Sequence, residues 1–158
     1  MTFTRIALIG LLSLGAGATA LADGHITQDD LKNAMNARKA HMQLYGFNLG
    51  ILGNMAQGKA DYDADAAQAA ADRLVALATM NQGAYWLPGS DSDSLEGTRA
   101  LPAIWEEGSM AGQIGMNLAE GALAMQAAAG DGLEALQANM RGVGAPCGAC
   151  HEDYRKPR

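Results

Sequence analysis

The chain has 158 residues, 49% of them hydrophobic, enough for one domain with a packed core. Its formal net charge is −6. An acidic chain repels phosphate, so nucleic acid is excluded as a natural ligand.

Residues 1–22 read as a secretory signal peptide. Arg5 precedes an apolar run over 6–14, and Ala20-Leu21-Ala22 fits a small-residue cleavage site. The run is too short for a membrane span, which needs about 20 apolar residues, and no later stretch comes closer. The mature domain is expected over residues 23–158 as an exported protein, periplasmic in a Gram-negative source. Loss of Arg5 leaves ten Lys and Arg against 17 Asp and Glu, a net charge of −7. By net charge alone, its protein partners should present basic docking faces.

Strand signals are nearly absent, because β-branched residues are few and no long run alternates. Ala, Leu, Met, Gln and Glu dominate, which favours helix. A first helix is expected over 27–55, opened by a capping pair, Thr27 and Asp30. Its inward stripe reads Leu31, Met35, Arg38, Met42, Tyr45, Leu49, Leu52, in alternating steps of four and three. A loop follows to a second N-cap at Asp63, which opens a helix to about residue 80 with Leu74 and Leu77 inward.

Residues 81–100, NQGAYWLPGSDSDSLEGTRA, cluster Pro, Gly, Ser and Asp. A connection of this length is uncommon and often functional. A third helix is expected over 101–129, with Pro102 in its first turn and Ile104, Ala111, Leu118, Ala122 and Met125 inward. A fourth starts near Asp131. Leu133, Leu136, Met140, Val143, Cys147, Cys150 and Tyr154 step along one face. Pro146 inside it should remove a hydrogen bond and bend the helix. Four amphipathic helices define an all-α, antiparallel four-helix bundle.

The only cysteines stand in APCGACHEDYRKPR, residues 145–158, as Cys147-Gly-Ala-Cys150-His151. On a helix, positions i, i+3 and i+4 share a face. C-x-x-C-H is the attachment sequence of c-type haem. The two thiols add across the vinyl groups of one porphyrin edge, and the adjacent imidazole reaches the iron as proximal ligand. Three other readings are weaker. A redox dithiol belongs at the start of a helix that follows a strand. A zinc site needs further ligands at regular spacing. A disulfide here closes so small a loop that it stabilises little.

One covalent haem c also accounts for an odd residue. Arg38 in an apolar stripe is costly unless paired, and a haem propionate supplies the carboxylate. Met42, one turn further on, can serve as sixth ligand through its thioether sulfur. His41 lies about 100° away around the helix, so both cannot face the haem. The stripe favours Met42 and leaves His41 solvated. With no Ser/His/Asp set, no paired carboxylates and no phosphate loop, the chain does not read as an enzyme.

These motifs resemble the class II c-type cytochromes, the cytochrome c′ family and its low-spin relatives, over the whole mature chain. CGACHEDYRK is similar to the family's ending, in which the haem motif is followed by Tyr-Arg; this assigns Tyr154 and Arg155, the Arg near the proximal face. ARKAHMQLYG, residues 37–46, is similar to the family's first helix, with Arg38, Met42 and Gly46 in the Arg, distal and Gly positions and Lys39 where Gln is usual. GTRALPAIW, residues 97–105, is similar to the segment before the third helix, where Thr98 takes a propionate-contacting position. The resemblance implies an electron carrier if Met42 binds the iron. It implies a five-coordinate, high-spin cytochrome that binds small gases, NO or CO, if it does not. It also implies a homodimer through the first helix.

Overall fold

The computed structural model describes residues 25–158, so the expected signal peptide over 1–22 lies outside the described residues. Thr27 opens the first helix as expected. The Asp30 N–H donates to Thr27 Oγ1 (3.2 Å), and the Thr27 N–H donates to Asp30 Oδ2 (2.9 Å). This helix, α1, runs Gln28–Ala56. Asp63 caps α2, Ala64–Thr79, by accepting from the Ala66 N–H (2.9 Å). α3 is Ala111–Ala128 and α4 is Leu133–Tyr154. α1 packs on α2, α2 on α3, α3 on α4, and α4 returns to α1. The result is the antiparallel four-helix bundle that the periodicity predicts. Leu52, Leu74, Met125, Leu136 and Val143, drawn from all four helices, are fully buried at its centre.

Two expectations need correction. The buried face of α1 runs Arg38, His41, Tyr45, Asn48, Leu52, Met55. His41 is 5% exposed and Met42 is 38% exposed. Steps of three and four fit a helix in either order, and the bundle has taken His41 inward. Met42 stands on the flank of the stripe.

The third helix begins ten residues later than expected. Pro102–Trp105 is an isolated 3-10 turn. The chain then passes through Gly108, whose φ of +82° belongs to the left-handed region that glycine tolerates. Ile104 therefore lies outside α3.

Pro146 does not break α4, which continues through it to Tyr154. Its missing N–H frees the Gly142 carbonyl four residues earlier. That carbonyl packs directly against Gly121 of α3, so closely that any Cβ at Gly121 would collide with it. Two glycines let the helices cross here at near backbone contact, where a Cα–H···O interaction can take up the freed acceptor.

The long connection between α2 and α3 is tied down by short elements. A 3-10 turn occupies Gly83–Tyr85. Leu95 packs with Leu31, Met35 and Leu87 in a small satellite core. Ala100 and Arg155 form an isolated antiparallel bridge. Beside it the Leu101 N–H donates to the Tyr154 carbonyl (2.9 Å), and the Lys156 N–H donates to the Arg99 carbonyl (2.8 Å).

Candidate haem site

Between α1, the 80–110 connection, α3 and α4 lies a cavity of about 980 Å³. This is the upper end of the range for cofactor pockets, about 300–1,000 Å³. The helical spacing of the C-x-x-C-H motif brings Cys147, Cys150 and His151 to its wall from α4. Both cysteines are free and half-buried. Burial pushes both thiols up, the charge of Cys150 adding to the effect on Cys147 and Arg155 opposing it at Cys150. The Cys147 thiol lies 3.3 Å from the Val143 carbonyl of the preceding turn. Burial, and then the positive charges of Arg155 and Arg99, push the His151 imidazole down. It is therefore neutral at physiological pH and has a ring nitrogen free to bind a metal.

The facing wall is α1, which contributes Met42, Tyr45, Gly46 and Leu49. Met42 thus lines the same cavity as His151, from a different helix. His41 does not line it. Its ring packs edge-on against Tyr45 at 4.7 Å, tilted towards Tyr85 at 5.7 Å, and its Nε2 has no hydrogen-bond partner. Tyr45 accepts a hydrogen bond from Gln82 (3.3 Å), so the α1 wall is coupled to the end of α2. Gly112 and Gly115 of α3 also line the cavity. A Cβ at either of them, or at Gly46, would meet no protein atom within 4 Å. These glycines leave a slot with smooth sides. The residues present fit a flat, covalently held porphyrin: an attachment pair, an imidazole, a slot and a cationic mouth.

Arg38 and Thr98 are brought together. The Arg38 Nη2 donates to Thr98 Oγ1 and to the Ser90 carbonyl (both 2.9 Å). Its Nη1 donates to the Tyr85 carbonyl (3.0 Å) and to Ser90 Oγ (3.1 Å). The guanidinium also lies 4.7 Å over the Trp86 ring. Arg38 and Thr98 both line the cavity. Arg38 also clamps the long connection onto α1, which the sequence did not reveal. Tyr154 does the same for α3: its hydroxyl accepts from the Met110 N–H (2.8 Å).

Sequence reasoning missed Trp86, Trp105, Arg99 and Arg158, all on the cavity wall. The two tryptophans are the only ones in the chain and fall in or beside its most loop-like stretch, a signal that could have found them. Their rings lie 6.3 Å apart, and Trp105 Nε1 donates to the Trp86 carbonyl (2.9 Å).

A bundle that offers a C-x-x-C-H helix to a porphyrin-sized slot defines a covalent haem protein. Comparison with known proteins makes this specific. The family model described as Cytochrome C' matches residues 33–155. Cytochrome c-554 of Cereibacter sphaeroides is 41% identical over 126 residues, which is 80% of this chain and 95% of the relative. A cytochrome c′ of Cereibacter sphaeroides is 34% identical over 154 residues, covering 98% of this chain and 99% of the relative. A solved cytochrome c′ from Rhodobacter Spheriodes superposes with a TM-score of 0.78 at 36% identity, over 81% of this chain and 98% of that one. The chain belongs to the cytochrome c′ family. It is a class II c-type cytochrome, an electron-transfer haem protein with one covalent haem c.

Proposed function

We propose that Cys147 and Cys150 carry the haem as thioethers, that His151 is the proximal iron ligand and that Met42 is the sixth. The observation that carries this reading is the sharing of one cavity by α4's Cys147, Cys150 and His151 and, on the facing helix, α1's Met42. Held by these residues, a haem would supply one-electron chemistry at its iron. A Met opposite a His raises the reduction potential, which suits a carrier. Arg38 and Thr98 stand on the propionate side and Arg155 on the proximal side. The protein works without turning over a substrate. Residues 1–22 direct export, and the domain over 23–158 acts in the periplasm. Leu44 and Phe47, 51% and 65% exposed on α1, support pairing of two copies through that helix.

A second reading has its own support. The open space at Gly46, one turn beyond Met42, leaves room on the distal side for a small gas such as NO or CO. A solved arginine-to-lysine variant of cytochrome c′ from Alcaligenes xylosoxidans carries bound NO in its ferrous form. The absorption spectrum separates the two readings. Sharp low-spin bands when reduced, a sulfur-to-iron band when oxidised and indifference to CO are expected for Met42 ligation. A broad high-spin spectrum that shifts under CO would overturn it in favour of the gas-binding form.

A further inference from the structure

The positive charges of the mature chain are unevenly placed. Five of its ten Lys and Arg, namely Arg38, Lys39, Arg99, Arg155 and Arg158, line the haem cavity, and among the described residues no Asp or Glu does. Lys39, Arg155 and Arg158 are exposed, and so is the neighbouring Lys156. The surface is built. The Ala100–Arg155 bridge fastens the basic C-terminal tail alongside Arg99. Arg99 Nε then donates to the Lys156 carbonyl (2.8 Å), which fixes the two basic segments side by side.

Arg38 is buried; two haem propionates neutralise at most two of Lys39, Arg99, Arg155 and Arg158, so at least two of these remain at the mouth with Lys156 beside them. At 0.1 M ionic strength charges more than about 10 Å apart are largely screened from one another. A partner approaching the haem edge therefore meets the mouth's positive field before the molecule's net charge of −7. We infer that the haem mouth docks a carboxylate-rich face of a partner protein. The expectation of a basic partner, drawn from net charge, is reversed at the place where electrons leave. An extended anionic sheet such as a lipid surface is a poorer fit, because it would also face the acidic remainder of the molecule. The proposal rests on the electron-carrier reading.

The test is stopped-flow oxidation of the reduced holoprotein by hexacyanoferrate(III), an anion that takes one electron from the haem iron, across ionic strengths from low to high. The expected rate constant falls by about tenfold or more as salt rises, the scale of electrostatic steering. The cation hexaammineruthenium(III) should show the opposite trend. An oligoglutamate peptide, standing in for the acidic face, should slow hexacyanoferrate at low salt. Lys156→Glu with Arg158→Glu should flatten or reverse the salt trend, and Lys59→Glu, outside the cavity wall, should not. The visible spectrum of each variant reports that the haem is seated. A hexacyanoferrate rate that rises with salt would overturn the proposal, as would an equal effect of Lys59→Glu. Failure of the peptide to compete, or equal competition by vesicles of anionic lipid, would also overturn it. Failure to exchange electrons with either complex would overturn the carrier reading itself.

Discussion

Arg38 ties the long connection to α1. Its guanidinium is buried, yet the acceptors around it are two backbone carbonyls and two hydroxyls, none of them a carboxylate. Hydrogen bonds from a charged donor contribute more than neutral ones, but burial of the cation offsets part of the gain. Arg38→Ala should therefore cost about 1–3 kcal/mol in denaturant unfolding of the holoprotein. Arg38→Lys should recover little, because a point charge cannot span Tyr85, Ser90 and Thr98 as a fork does. A loss below about 0.5 kcal/mol would show that the connection holds without it. The haem ligands make sharper claims. Cys147→Ala should abolish stable haem attachment, read as colour that no longer stays with the denatured polypeptide. Met42→Leu should convert a low-spin iron to high-spin, and an unchanged spectrum would remove Met42 as ligand. That Cys147, Cys150 and His151 share one wall was legible because helical spacing is local. The clamp around Arg38 was not, since two of its acceptors are backbone atoms far along the chain. Nor was the burial of His41, since i+3 and i+4 fit the stripe equally well.

Among the elements, α1, α2 and α4 could be read from capping residues and apolar periodicity, because both are local. The start of α3 could not. Pro102 in a first turn is a valid helix opening, but the segment around it is held elsewhere. Ala100 bridges to Arg155 and Leu101 donates to Tyr154, so the chain follows the end of α4 before turning at Gly108. Pro146 stands inside α4, and the Gly142 carbonyl it frees packs against the backbone of α3 at Gly121. This predicts an intolerant position. Gly121→Ala places a methyl group onto Gly142 backbone, where neither helix has a flexible side chain to move aside. Overpacking of this kind costs about 1–3 kcal/mol. A fall in melting temperature of about 3–10 °C should follow. Gly144→Ala, on α4 near Gly142, is the control, since a Cβ there meets nothing within 4 Å. Equal melting temperatures for the two variants would refute the close crossing.

At the scale of the whole molecule, protons couple to folding through the groups that the bundle treats differently from water. Asp30 and Asp72 are held below the usual carboxylate value of 3.8, Asp30 by its hydrogen bonds with Thr27 and Asp72 by those from Gln126 and Gln68. The stability they contribute is lost only as pH falls through that acid range. His41 acts earlier. Burial pushes its imidazole below 6.5, with the Leu77 carbonyl opposing in part, and its Nε2 is unpartnered. As pH falls through 6.5 the unfolded chain takes up this proton and the folded chain does not. The unfolded state then holds more protons, so stability declines with acidification from that point. The melting temperature of the holoprotein should thus be level above pH 6.5 and begin to fall just below it. His41→Phe keeps an aromatic ring against Tyr45 and Tyr85 but has no site to protonate. Its plateau should extend down to the carboxylate range, with a higher melting temperature than the parent at pH 5. Circular dichroism melts at a series of pH values test this, with the visible spectrum confirming that the haem remains in place. A decline shared by parent and variant would place the acid sensitivity at another group, and His41 would then be buried without governing the stability of the bundle.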